Sequence, residues 1–303
     1  MLTLRLLAAA RHAYAISGDG VVPDQGWAPL PYQYVGYTDQ PLGFLAGLDN
    51  QDGGFVATLP EGVVVSIRGT TPPRLVDTAP MQVVIDWASD AVAALTPAGG
   101  TPPGFPGKVH FGFYKSFMRL WPKLGPAVQQ RVAAYAAAHA GAPQRIFVTG
   151  HSKGGAISAL VGWRLKLDYP AAEIVVRSFA GARVGDQAFA AAYNAQIPNH
   201  IRYEYDDDIV PHLPLSPAVV HALGVPTLAC ALLSVADVGY GQVGQLGFIQ
   251  PGGAIIGQGP SLDDDRIKAL IARAAQLGGF KYIVNCHGVD PPIAGYFTAH
   301  YPN

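Results

Sequence analysis

Runs of consecutive apolar residues, many of them β-branched, recur along the chain, and each is stopped by a turn signal. Val63-Val64-Val65-Ser66-Ile67 ends at Arg68-Gly69-Thr70, and Arg145–Thr149 carries Ile146-Phe147-Val148. Glu173–Phe179 carries Ile174-Val175-Val176 and leads into a glycine-containing turn. Unbroken apolar strands are what a sheet covered on both faces requires. Phe55–Thr58, joined to Val63–Ile67 through Leu59-Pro60-Glu61-Gly62, predicts a β-hairpin. Helical spacing fills the intervals. Ile157, Leu160, Val161 and Leu165 predict a helix from just after Ser152 to about Asp168, and an alanine-rich body predicts another from Trp121 to Ala140. Leu4, Leu7, Ala8, Tyr14 and Ala15 predict a first amphipathic helix. Strand, turn, helix and strand in this order predict an α/β fold with a mostly parallel central sheet and crossover helices.

Composition narrows the picture. A chain of 303 residues with no dividing linker suits one domain spanning 1–303. Half the residues are hydrophobic and 14% are charged, which implies a large core or apolar surface kept for a greasy ligand. A net charge of −1 gives no electrostatic footprint for nucleic acid. Cys230 and Cys286 are too few for a disulfide scaffold and read as buried free thiols. The apolar stretch Leu6–Ala10 is broken by Arg11-His12, too short for a signal peptide core, so the expectation is residence in the cytoplasm or export by a non-classical route. The longest uncharged stretch, Ile209 to Ala236, is interrupted by Pro211, Pro214, Pro217, Gly224 and Pro226 and does not read as a spanning helix. No residue pattern implies a metal or organic cofactor, and Asp263-Asp264-Asp265-Arg266 reads as a solvated helix start.

Chemistry enters at Gly150-His151-Ser152-Lys153-Gly154-Gly155-Ala156. The motif Gly-x-Ser-x-Gly is weak alone, but here a buried strand ends before it and an apolar-spaced helix starts after it. That context is a nucleophile elbow, in which a strained serine needs neighbours without bulk two residues to either side. Gly150 and Gly154 meet that need, and the helix start offers free N–H groups to an oxyanion.

Three further segments, with this elbow, resemble the class 3 lipase family, the fungal-lipase-like branch of the α/β hydrolases. They are Val63–Thr70, Val109-His110-Phe111-Gly112-Phe113, and Phe179–Asp186 followed by Asp207-Asp208-Ile209-Val210-Pro211-His212-Leu213-Pro214. Ala182 departs from the pattern by standing where the family usually has proline. The resemblance, over roughly 55–300, implies an α/β-hydrolase fold and gives Thr70, after the Arg-Gly of its strand, one half of an oxyanion hole. The backbone N–H of Lys153 is expected to supply the other half.

A serine hydroxyl needs an imidazole to take its proton and a carboxylate to orient that imidazole. The family pattern matches Asp208, leaving Asp206 and Asp207 as solvated loop charges. His287 follows the strand-like Tyr282-Ile283-Val284-Asn285 and resembles the family's late histidine; His300, near the chain end, is the alternative. His110 and His151 are expected to be structural hydrogen-bonders, and His212 and His221 to lie in loop and cap. A lid at about 71–90 and an apolar cap segment at about 212–238 are expected, the lid offering contact with a lipid interface. Together these imply a carboxylic ester hydrolase, a lipase acting on acylglycerols or other esters through an acyl-enzyme. A phospholipase A1, an acyltransferase or a non-catalytic lipid-binding protein of the same fold are the alternatives.

Overall fold

A computed structural model of the protein describes residues 2–24, 31–70, 95–97, 104–142, 144–214, 239–257, 262–276, 278–288 and 296. The main sheet contains β1 (Gly20–Val21), β2 (Leu42–Ala46), β3 (Asp52–Leu59), β4 (Gly62–Ile67), β7 (Arg145–His151), β8 (Glu173–Phe179), β10 (His200–Tyr205), β12 (Gln245–Ile249) and β13 (Ile255–Ile256), adjacent in that order. From β4 to β12 neighbouring strands are parallel, while β1 to β4 and the β12–β13 edge are antiparallel. A small antiparallel sheet takes β5 (Leu95–Pro97), β6 (Lys108–His110), β9 (Gly185–Asp186) and β11 (Tyr240–Gly241). The expected hairpin is present, with Leu59 opposite Gly62 so that Pro60-Glu61 make the turn.

The helices are α1 (Leu2–His12), α2 (Tyr32–Val35), α3 (Phe111–Ala138), α4 (Lys153–Asp168), α5 (Gln187–Gln196), α6 (Leu262–Ala274) and α7 (Gly279–Cys286). They cover both sheet faces, and strand alternation divides the core accordingly. Val63, Val65, Ile146 and Val148 pack with Phe117, Leu124 and Leu160 of α3 and α4. Val64, Phe147 and Val175 pack with Leu6, Leu7 and Ala10 of α1. On the α1 side the buried hydroxyls of Ser66 and Thr149 donate to the carbonyls of Ala9 (2.9 Å) and Leu6 (3.0 Å). Leu6 to Ala10 are all fully buried, a wider contact than one amphipathic stripe.

Two helical elements differ from the sequence expectation. α3 begins at Phe111, ten residues before Trp121, and passes through Pro122 and Pro126. Both prolines are exposed, while Phe113, Phe117, Leu120 and Leu124 form one buried stripe, so tertiary burial outweighs the broken backbone bonds. His110 caps its start by accepting from the Phe113 N–H. Tyr282–Asn285 is helical, within α7; a short apolar run with β-branched residues cannot be assigned by periodicity alone.

The pair α6–α7 folds back over the end of β10, so Asp206 and Asp207 are not solvated. Asp207, 8% exposed, accepts from Arg273 Nε at 3.0 Å. Asp206 accepts from the Tyr282 hydroxyl and from Cys286 Sγ. Deeper in, Glu204 of β10 is clamped between Arg202 (2.8 Å) and Arg266 of α6 (2.5 Å), all three buried, with Arg266 also stacked 4.5 Å over the Phe248 ring. The expected lid and, past Pro214, the apolar cap segment lie outside the described residues, as do Cys230, His221 and His300. Cys286 is a buried free thiol; Asp265, near the start of α6, is exposed, but Arg266, expected to be solvated with it, is buried because Glu204 draws it inward. Among the described residues no helix is long and apolar enough to cross a membrane, and no acidic, histidine or cysteine cluster could hold a metal.

The Glu204 clamp predicts an acid sensitivity. Burial alone would raise the Glu204 carboxyl, but the Arg266 and Arg202 guanidiniums outweigh it and hold it below its ordinary 4.5. The folded state therefore binds the proton less readily than the unfolded one, and this stabilisation, complete above pH 4.5, is lost as the pH falls below that value. Glu204→Gln leaves buried guanidiniums uncompensated and is expected to cost about 3–5 kcal/mol in urea unfolding at pH 7. The gap from the wild type should narrow as the pH is lowered from 4.5; a gap that is small, or constant with pH, would contradict the clamp.

Candidate active site

β7 ends at His151 and α4 starts at Lys153, leaving Ser152 alone to make the turn at φ 58°, ψ −129°. A non-glycine residue in that region carries strain of about 1–3 kcal/mol, so the surroundings must over-determine it. They do: the Ser152 N–H donates to the Phe179 carbonyl at 2.9 Å, and its carbonyl accepts from Ala156 N–H at 3.2 Å. A Cβ at Gly150 would strike the Gly154 carbonyl, and one at Gly154 would strike the Ile67 carbonyl. Gly155 lets the helix approach the turn after β8, where a Cβ would come within 2.9 Å of Gly181 Cα. The Ser152 side chain, 9% exposed, opens on a pocket of about 240 Å³ whose lining includes Thr70, Lys153, Ala182, Val210 and Leu213.

Beside the elbow lies a buried carboxylate–imidazole pair. His287 Nδ1 is 3.1 Å from both oxygens of Asp208, which is wholly buried. A buried carboxylate is tolerated only when its lone pairs are filled. Here the Val210 N–H (3.0 Å) and the Tyr296 hydroxyl (2.7 Å) complete the set. Tyr296 in turn accepts from the Tyr205 N–H at 3.1 Å. Burial, then the Asp208 charge, push the Tyr296 hydroxyl far above its ordinary 10, so it remains a donor.

His151 ties the two halves together. Its ring lies 4.7 Å from that of His287, and its Nε2 donates to the His287 carbonyl at 2.9 Å. A carbonyl only accepts, so the proton sits on Nε2 and Nδ1 accepts from the Tyr14 hydroxyl at 2.9 Å. Burial, then the neighbouring His287, push His151 well below its ordinary 6.5, so it stays neutral. Gly69 makes room for this contact: a Cβ there would collide with the Tyr14 hydroxyl. Thr70 follows directly and, with Lys153, stands at the pocket wall next to Ser152. The Lys153 ammonium reaches the Gln51 carbonyl (3.2 Å) and buried Asp52 (3.0 Å), bracing the helix start against β3.

Other nucleophile and base types are accounted for differently. Ser178 Oγ and His200 Nε2 are 2.8 Å apart, but they bridge neighbouring strands inside the core. Burial, then Arg202 and Arg177, push His200 down to about 3, and its Nδ1 has no hydrogen-bond partner among the described residues. Such an imidazole cannot take a proton near neutrality. Desolvation, then Arg266, push His212 to about 4. Burial, followed by Asp206 and Asp208, raises Cys286, which stays a thiol. The sequence assigned no role to Tyr14, Tyr296, Tyr282 or Arg273. Each meets its partner across 66 or more positions, and no local pattern marks such pairs.

The chain is similar to known proteins. The family model "Lipase (class 3)" matches residues 64–217. The phospholipase A(1) DAD1, chloroplastic, of Arabidopsis thaliana is 28% identical over 160 residues, 50% of this chain and 33% of that protein. A Rhizopus oryzae lipase is 32% identical over 110 residues, 35% of this chain and 26% of that protein. The chain thus matches about a third or less of the length of these relatives. Among solved structures, the lipase of Rhizopus microsporus var. chinensis superposes with a TM-score of 0.56 at 26% identity, covering 82% of this chain and 73% of that one. The triacylglyceride lipase of Rhizomucor miehei gives 0.56 at 21% identity, covering 82% and 78%, a likeness of fold. The fold is that of the α/β hydrolases, and with the family model spanning half its length the chain belongs to the class 3 lipase family.

Proposed function

We propose that the protein is a serine-dependent carboxylic ester hydrolase that acts on acylglycerols as a lipase, through an acyl-enzyme. The observation that carries this reading is the buried Asp208–His287 pair beside a strained elbow serine that faces a pocket. Membership of the class 3 lipase family supports it. Asp208 accepts from His287 Nδ1–H, which leaves Nε2 unprotonated as a base for the Ser152 hydroxyl. Ser152 Oγ attacks the ester carbonyl while its proton passes to His287. The oxyanion is received by the backbone N–H groups of Thr70 and Lys153, each such donor being worth about 3 kcal/mol. The imidazolium returns the proton to the departing alkoxide, and water, activated by the same imidazole, releases the acid. Neutral His151 adds no second positive charge to compete with the imidazolium. The segment 71–90 is proposed as the part that meets a lipid surface.

Ser152→Ala is expected to lower ester hydrolysis by a factor on the order of 10⁶, and Asp208→Asn by about 10⁴, measured as kcat/KM on a soluble short-chain ester. A fluorophosphonate should label the wild type at Ser152 and leave Ser152→Ala untouched. Activity retained by Ser152→Ala would reject the assignment, whereas a wild type that neither takes the label nor hydrolyses any ester would favour a non-catalytic lipid binder. Hydrolysis should rise steeply when a sparingly soluble ester passes its solubility limit. A smooth saturation curve through that limit would remove the lipid-surface role of 71–90.

A further inference from the structure

The pocket that opens on Ser152 is charged in a way that an uncharged triglyceride does not require. Among the described residues lining it are three cations, Lys115, Arg119 and Lys153, and no carboxylate. They are three of only 20 lysines and arginines in a chain whose net charge is −1. One carboxylate lies behind the wall: Asp52, 1% exposed, is 3.0 Å from Lys153 Nζ and 3.6 Å from Arg119. Set against the three cations, it leaves an excess of two positive charges among the described residues at the pocket.

The helix that carries two of these cations also exposes apolar side chains. Phe111, Lys115 and Met118 are exposed and follow one another at i, i+4 and i+7 on one face of α3, and Lys115 Nζ lies 5.9 Å from the centre of the Phe111 ring. Arg119 stands next to that face, at the pocket. An acyl chain laid over Lys115 or Arg119 would strip water from a cation and return nothing. A phosphate would instead accept charge-assisted hydrogen bonds, for which a guanidinium is well shaped. Exposed Phe111 and Met118 beside the charges suit an amphiphile rather than a free ion.

We propose that this pocket takes an acyl ester bearing an anionic group close to the scissile bond, a phosphate-carrying glycerolipid. Arg119 and Lys115 receive the phosphate while the ester carbonyl meets Ser152. The assignment rests on the ester-hydrolase reading above and names the substrate class within it.

The test compares kcat/KM for dihexanoyl phosphatidic acid and dihexanoylglycerol, both kept monomeric, with inorganic phosphate as an added inhibitor. The phosphate-bearing ester should be preferred by about tenfold or more at low salt, and the preference should shrink toward one at high salt. Lys115→Glu, at an exposed position where folding is not at risk, and Arg119→Gln should each reduce the preference by about tenfold, chiefly through KM for the phosphate ester. Lys268→Gln, an exposed charge on α6, should leave the ratio as it is. A ratio near one at low salt, or one that neither variant moves, overturns the proposal while leaving the hydrolase reading intact. Inorganic phosphate inhibiting strongly, with no preference for the phosphate ester, overturns it in favour of a free-anion site. Failure to hydrolyse either ester, together with no fluorophosphonate labelling at Ser152, sinks both readings.

Discussion

Three consecutive carboxylates at the end of β10 hold the site together, because each ties a different part of the C-terminal helical segment to the sheet. Asp206 takes the Tyr282 hydroxyl of α7, Asp207 takes Arg273 of α6, and Asp208 takes the His287 imidazole that follows α7. The sheet, the elbow and the pocket wall are all built by residues before 262. The imidazole reaches them only as part of a helical pair that is seated by buried Leu270, Ile283 and Cys286 as well as by these polar contacts. Glu204, one residue back from Tyr205 on the same strand, adds the buried clamp on Arg266. Buried polar contacts of this kind contribute little net stability, but a misdocked arrangement would strand charges without partners, which favours one docking over others.

The serine side is fixed by exclusion of bulk. Gly150, Gly154 and Gly155 let β7, α4, β4 and the turn after β8 meet at distances where any Cβ would collide. The two sides are then joined by His151. As the residue before Ser152 it belongs to the elbow strand, and through its ring it holds the backbone of His287. The His287 carbonyl fixes the ring proton on Nε2, and Tyr14, beyond the end of α1, donates to the other nitrogen. Relative placement of nucleophile and imidazole therefore depends on a hydrogen-bonded line running from near the N-terminal helix to the C-terminal one.

Much of the fold was legible because its signals are local. Strand, turn and helix around Ser152 are contiguous, so the elbow could be read from a dozen residues, and Glu173–Phe179 has the same bounds in sequence and structure. Asp208 and His287 were singled out by chain order and family resemblance rather than by any neighbouring pattern. What was misread has a common cause. The first turns of α3, before Trp121, lack the alanine-rich signal of its body, and Tyr282-Ile283-Val284 looked extended, because in both places packing overrides local preference. Asp206 and Asp207 looked solvated because Tyr282 and Arg273 stand 76 and 66 positions away.

The order of the parts along the chain has a consequence during synthesis. The elbow is complete by residue 181, and the carboxylate by 208, but the imidazole arrives only with residue 287. A growing polypeptide therefore displays the serine, its glycines and the strand bearing Thr70 while Ser152 is still an ordinary alcohol. Under the proposed roles, chemistry switches on when the last helices close over the β10 turn, so an unfinished chain lying near a membrane cannot attack the lipids around it.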